Sequence, residues 1–215
     1  IQFSDKNNTL QYPYQTSWGM TTRLIGAIIM THGDDNGLVL PPAVAPIQAI
    51  VVPVAQHKEG VLEKANELTE RLKKVCRAKI DDSDNSPGWK FAEYEMKGVP
   101  VRVEIGPKDI EKNQCVVVTR HNREKTFVSL DDIETVILEK LEEVRQGLYD
   151  SALENRERRT YVAKTLDDIT KQLEEHGDGF VKAMWCGSEE CEEKVKEITG
   201  VGSRCIPLEQ ENLSD

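Results

Sequence analysis

Ile47-Gln-Ala-Ile-Val-Val-Pro53 is a short apolar run that follows Pro46. Its length and β-branched content predict a buried strand. Outward from it the period changes. Residues 60–74 place Leu62, Ala65, Leu68 and Leu72 at helical spacing. An Asp/Ser/Asn loop follows at 81–87, and Val99-Pro-Val-Arg-Val-Glu-Ile105 alternates as a strand. Two more strands are expected at 114–119 and 124–129. An amphipathic helix is expected over 130–145, with Asp131 and Asp132 suited to its positive start. Strands alternating with helices over 47–150 imply an α/β domain, a mixed sheet flanked by helices.

The flanks read differently. Residues 1–4 and 10–16 look like strands around Asp5-Lys-Asn-Asn8, a good turn sequence. A Gly-containing apolar segment at 19–30 and a polar turn at 32–37 follow. Pro41, Pro42 and Pro46 form a stiff linker. Beyond 150 a highly charged helix is expected over 149–176, then a strand at 180–185, a helix at 189–199 and a strand at 204–208. This small α+β unit has too little core to stand alone. The expected division is 1–46, 47–150 and 151–215. Starting at Ile1 inside a hairpin pattern, without Met, the chain is expected to be a piece of something longer.

Bulk properties bound the function. The chain has 215 residues, 38% hydrophobic and 31% charged, with a net charge of -10. This is ordinary foldable composition. The charge excludes indiscriminate binding through a uniformly basic surface, but not a local basic patch. The five cysteines are unevenly placed and do not make a secreted disulfide framework. The apolar run 24–30 is too short to cross a membrane. A cytoplasmic protein with no membrane contact is expected.

Two stretches carry chemistry. In Gln15-Thr-Ser-Trp-Gly-Met-Thr-Thr-Arg-Leu-Ile-Gly26 a Gly-containing strand leads into Arg23 at the mouth of an apolar helix. Gly19 would let a ligand approach the backbone, and Arg23 would stack on a purine or reach a polyphosphate. The same residues also suit an ordinary helix start with Arg23 in solvent. In Ser86-Pro-Gly-Trp-Lys-Phe-Ala-Glu-Tyr-Glu-Met-Lys-Gly98 the aromatics Trp89, Phe91 and Tyr94 interleave with charges. Such a surface suits unpaired bases. Glu95 would accept from a guanine's N1 and N2 edge, and Arg102 would donate to its O6 and N7. Equally, Trp89 and Phe91 would serve as core and the charges as a solvated face.

Residues 15–26, continued by Thr31-His-Gly-Asp-Asp-Asn-Gly-Leu-Val-Leu-Pro-Pro42, resemble motif 3 of the class II prolyl-tRNA synthetase family. Residues 86–109, with Pro-Gly-Trp-Lys and Glu-Ile-Gly-Pro-Lys-Asp, resemble the anticodon-binding domain of that family in its archaeal/eukaryotic-like form. The resemblance implies a remnant of the catalytic domain over 1–46, the anticodon-binding domain over 47–150 and a truncated C-terminal domain over 151–215. It implies that Arg23 contacts ATP as a catalytic residue, with Thr21 beside it. It further implies that Glu95 and Arg102 read guanines of the proline anticodon, with Lys108, Asp109 and Lys125 supporting the loop. The intact enzyme would activate proline with ATP and Mg2+, charge tRNA-Pro and work as a homodimer. Motifs 1 and 2 are absent from these residues, so the piece alone is expected to be inactive. The rival reading is a non-catalytic RNA-binding module with the same fold, and the Arg23 stretch speaks against it. A redox or nucleotide-binding α/β protein is disfavoured by the lack of C-x-x-C, G-x-G-x-x-G and P-loop patterns.

Cys186 and Cys191 have C-x4-C spacing, which the resemblance pairs with a later cysteine pair around zinc. Here they form half a site, with Cys205 a weak stand-in in an apolar, strand-like setting; free cysteines are the plain alternative. Zinc should be absent or substoichiometric by elemental analysis. One zinc per chain, lost on Cys191→Ser, would overturn this.

Overall fold

The computed structural model describes residues 1–210 and residue 213; residues 211, 212, 214 and 215, the end of the expected C-terminal unit, lie outside the described residues. The chain opens on an antiparallel hairpin, β1 (Phe3–Ser4) and β2 (Leu10–Gln11). Asp5 closes its turn by accepting from the N–H groups of Asn7 at 2.8 Å and Thr9 at 3.0 Å. The strand expected before Arg23 is not formed, because residues 12–20 pair with no neighbouring strand. Helix α1 (Arg23–His32) follows and buries none of its residues.

The central unit runs β3 (Ala49–Pro53), α2 (Val61–Leu72), β4 (Ala78–Ile80), α3 (Pro87–Met96), β5 (Val101–Ile105), α4 (Pro107–Glu111), β6 (Gln114–Thr119), β7 (Lys125–Ser129) and α5 (Ile133–Arg158). Five strands make one mixed sheet in the order β4-β3-β5-β6-β7. The first three are parallel and the last three antiparallel. Every residue of β3 is buried because both faces are covered. Val51, Val103 and Val117 face α2 and α5 in the larger core, while Ile50 and Val52 face Tyr94 of α3 on the other side. The buried stripe of α2 is Val61, Ala65, Leu68 and Leu72; Leu62, expected inward, lies at the solvent edge.

Three elements differ from expectation for local reasons. Residues 87–96, read as an aromatic surface, form a helix. Ser86 caps it by accepting from the Trp89 N–H at 3.4 Å, and Pro87 sits in its first turn. Helix α5 continues through Gly147 as one element of 26 residues. A Cβ at Gly147 would lie 2.5 Å from His121 Cδ2, so the glycine makes room for an imidazole rather than ending the helix. The single charged helix expected over 149–176 is interrupted. Strand β8 (Thr160–Val162) intervenes, then α6 (Leu166–His176) starts at a Thr165/Asp168 capping box. Strand β8 pairs in parallel with β9 (Phe180–Lys182), and α7 (Glu189–Thr199) follows. The strand expected at 204–208 is absent.

The N-terminal segment is fastened to the central unit by a seam. Gly37 at φ 129 and Gly98 at φ 70 are in left-handed backbone that side chains rarely adopt. A Cβ on Gly37 would meet Met96 backbone at 2.6 Å, and one on Gly98 would meet Leu38 backbone at 2.7 Å. That closeness lets Leu38 N–H donate to Met96 C=O at 2.9 Å and Leu40 N–H to Gly98 C=O at 3.2 Å. The proline linker is held as well, since Arg77 donates to the carbonyls of Pro42 at 2.8 Å and Ala45 at 3.0 Å. Beside the seam Asp34 takes two bonds from Arg120, at 2.6 and 2.8 Å.

Behind α3 lies a buried charge pair. Lys90 Nζ, only 1% exposed, donates to Asp81 C=O at 2.9 Å and Gln56 Oε1 at 3.1 Å, and lies 3.7 Å from the Asp81 carboxylate. Burial opposes ionisation of Asp81, but bonds from Ser83, the charge of Lys90 and the Tyr94 hydroxyl outweigh it and lower its pKa. Lys90→Ala strands that carboxylate and should lower the unfolding free energy by about 3–5 kcal/mol, read as a reduced urea midpoint. An unchanged midpoint would refute the pairing.

Acid should expose the Asp34 bond. The bonded Arg120 guanidinium holds the Asp34 carboxyl far below the usual carboxylate range. A depressed folded pKa contributes stability that is present above the unfolded value, about 3.9, and is lost as pH falls toward the folded one. Asp34→Asn should lower the urea midpoint at neutral pH, and the gap from the unsubstituted protein should narrow steadily below about pH 4. A constant gap down to about pH 3 would contradict this.

Candidate functional site

Where β5 begins and β6 ends, the structure opens a cleft of about 160 Å³ lined by Glu95, Arg102, Thr119, Arg120, Arg123 and Lys125, with Tyr94 and Val99 at its apolar side. Its geometry follows from register. Arg102 lies opposite Val118, and Val118 opposite Lys125. Opposed residues share a face, so Arg102 and Lys125 point the same way, two strand spacings or roughly 10 Å apart. Val101, Val103 and Ile105 are spent on the core, which puts Arg102 and Glu104 on the α3 side.

Arg102 is fixed there. Its guanidinium stacks over Phe91 of α3 at 4.3 Å from the ring centroid and bonds Glu104 Oε1 through Nε at 3.0 Å and Nη2 at 2.9 Å. Among the described residues its other N–H groups have no hydrogen-bond partner and can serve a ligand. Glu95, in the last turn of α3, meets Arg123 Nε at 2.7 Å. Its main-chain carbonyl accepts from Arg120 Nε at 2.9 Å. Burial, then the neighbouring Asp81, pushes the Tyr94 hydroxyl up to about 12, so it stays a neutral donor to that carboxylate. Beyond the cleft, α3 no longer covers the sheet. There Phe127, on the row shared with Glu104 and Val116, is 68% exposed. An exposed ring beside cations on an open sheet face can stack an unpaired base.

Of the residues named from sequence, Glu95, Arg102 and Lys125 are brought together. Lys108 and Asp109 are not: they lie on α4, past the opposite end of β5. There the Asp109 carboxylate accepts from the Gly106 N–H at 2.9 Å and closes the helix start. Arg120, Arg123 and Phe127 carry no motif that marks them in the sequence. Their only sequence signal is the charged run Arg120-His-Asn-Arg-Glu-Lys125 before an aromatic.

Arg23 heads α1 on the surface, its main-chain N–H donating to Thr21 Oγ1 at 3.3 Å. Cys186 and Cys191 are free thiols close enough to influence each other. The Ser188 N–H, then Cys191, lowers the pKa of Cys186, and Cys186 in turn raises that of Cys191. Cys205 is exposed rather than set in a strand, and among the described residues no three His, Cys, Asp or Glu side chains gather to hold a metal. His121 is packed against Gly147, with its pKa lowered by burial and its Nδ1 lacking a partner among the described residues. Among the described residues no helix is long and apolar enough to cross a membrane.

Known proteins share both sequence and fold. Residues 48–140 match the anticodon binding domain family, and residues 166–215 match the family described as prolyl-tRNA synthetase, C-terminal. The proline–tRNA ligase of Ruminiclostridium cellulolyticum is 63% identical over all of this chain, and that of Clostridium novyi 61%. The chain spans 45% of each of these relatives. A crystal structure of prolyl-tRNA synthetase from Cryptosporidium parvum complexed with L-proline and AMP superposes with a TM-score of 0.86 at 41% identity. It covers 97% of this chain, which covers 46% of it. In sequence and in fold alike, the chain belongs to the prolyl-tRNA synthetase family, as the C-terminal region that carries the anticodon-binding domain.

Proposed function

We infer that this chain is the tRNA-reading part of a proline–tRNA ligase. The parent activates proline with ATP and Mg2+ to prolyl-adenylate and transfers it to tRNA-Pro, as a cytoplasmic homodimer. The observation that carries this reading is the meeting of Glu95, Arg102 and Lys125 in one cleft of a chain 63% identical to a proline–tRNA ligase.

The chemistry follows from the side chains. The Glu95 carboxylate accepts from guanine N1–H and N2–H, which no other base offers together. Arg102 directs its fork at guanine O6 and N7. Phe91 beneath it and Glu104 beside it set the fork before any base arrives, so little order is lost on binding. Lys125 neutralises a phosphate, and Phe127 gives a base a face to lie on. Lys108 and Asp109 support the anticodon loop from the far end of β5. Asp109 does so by holding the α4 start.

Arg23 and Thr21 serve ATP in the parent. The exposed Arg23 guanidinium fits that task, stabilising charge that develops at the phosphate during adenylate formation. Mg2+ arrives with ATP, and no residue here is assigned to it. Cys186 and Cys191 supply two of the four ligands of a structural zinc, so zinc enters only with further ligands from elsewhere in the parent. Three parts divide these roles: a catalytic-domain portion over 1–46, the anticodon reader over 47–150 and a C-terminal unit over 151–215. Helix α5 crosses the second boundary unbroken.

Binding of a proline anticodon stem-loop tests this. A bidentate base contact is worth about 1–3 kcal/mol, so Arg102→Ala should weaken the cognate loop about ten- to a hundred-fold. A loop with its guanines replaced should bind both proteins equally. Lys108→Ala should weaken all loops alike and flatten the salt dependence. A guanine preference left intact by Arg102→Ala would sink the assignment.

A further inference from the structure

Glu95 comes with a second partner across the seam. Arg123 places Nε on Glu95 Oε1 at 2.7 Å and Nη2 on Asp34 Oδ2 at 3.2 Å. Asp34 also takes both Nη groups of Arg120, whose Nε holds the Glu95 carbonyl. One carboxylate from the turn after α1 thus anchors two arginines, and these hold the side chain and the backbone of the residue that faces a base. The turn itself is closed, with Asp34 and Gly37 exchanging main-chain bonds at 3.0 and 3.1 Å.

We propose that Asp34 and Arg123 are a positioning pair for guanine readout, by which the segment outside the anticodon-binding unit sets the acceptor geometry of Glu95. The physical reason is competition for a fork. A guanidinium presents two parallel N–H edges to a carboxylate and, left alone with one, takes both oxygens. Asp34 accepts from Nη2, so the Nε/Nη2 edge of Arg123 is shared between two carboxylates and Nε stands against Glu95, 2.7 Å from Oε1. In the proposed arrangement Oε2 is the oxygen that accepts from a base. Without Asp34, Arg123 closes on Glu95 with both edges and the base loses its acceptor. Arg123 is half-exposed and able to turn, whereas Arg120 is buried and tied on three sides.

The proposal rests on the anticodon reading, so its test separates the two. Stem-loops carrying guanine, inosine (which lacks the N2 amino donor) or adenine at the recognised positions are titrated against the 215-residue chain and its Asp34→Asn and Arg123→Gln variants. One hydrogen bond to a charged group is worth about ten- to a hundred-fold, so the unsubstituted chain should prefer guanine to inosine by that order. Asp34→Asn should bring that preference close to parity without weakening the adenine loop, and the positive charge it uncovers should steepen the salt slope for every loop alike. A residue that only stabilised the fold would weaken every loop alike. Circular dichroism at the binding temperature establishes that the variants are folded. Arg123→Gln keeps the Asp34–Arg120 clamp, so it remains informative if Asp34→Asn fails to fold; it too should lose the preference. Retention of the guanine-over-inosine preference in both variants, or in the folded one alone, would overturn the positioning role and leave the anticodon reading standing. No guanine preference in the unsubstituted chain would overturn both.

Discussion

A strand sends alternate side chains to opposite faces, and in β5 this separates two tasks. Val101, Val103 and Ile105 go to the core against α2 and α5; Arg102 and Glu104 go to the face that α3 only partly covers. A slip of one residue would bury the arginine in the large core and expose the valines. The register is protected from both sides, because β5 pairs with β3 over all five residues and with β6 over four. The position of Arg102 is therefore a by-product of core formation, and the cleft inherits the rigidity of the sheet.

The seam works on a different principle. Gly37 and Gly98 permit main-chain approach that no Cβ would allow, and the two main-chain bonds made there are short-range and geometric. Asp34 then adds charge to a contact that backbone shape has already fixed. The buried Arg120 gains the carboxylate it needs to be out of water. Packing of the N-terminal segment and charge balance of the cleft are consequently one event rather than two.

Much of this was legible from local pattern. The Gln114–Thr119 strand, the 61–72 helical stripe and the α/β alternation follow from periods of two and 3.6 residues. Glu95 and Arg102 could be placed together because both flank one glycine turn. What stayed hidden was non-local or masked by a stronger local cue. Pro87-Gly88 reads as a loop until the Ser86 cap is seen. The helix expected over 130–145 runs on through Gly147, whose missing side chain leaves room for His121. Thr160-Tyr-Val162 reads as the middle of a charged helix because its partner strand, at 180–182, is far along the chain. Arg120 and Arg123 could not be assigned at all, since Asp34 stands 86 and 89 positions away.

The net charge of -10 is also resolved by the cleft. Asp34, Glu95 and Glu104 stand against Arg102, Arg120, Arg123 and Lys125, so the site itself is close to neutral. Such a site adds little to long-range attraction of a polyanion, which depends on unpaired cations. Its strength lies elsewhere. The three arginines and three carboxylates already have opposite partners that orient them, and in the proposed readout a base edge that completes the pattern meets acceptors and donors fixed in place. A wrong edge leaves those groups without water and without a new partner, which costs about 1–3 kcal/mol for each unsatisfied group. Under that proposal, selectivity comes from the penalty on misfits more than from attraction to the correct base. An acidic protein can therefore read RNA through a small paired cleft, provided its carboxylates are held as firmly as its arginines.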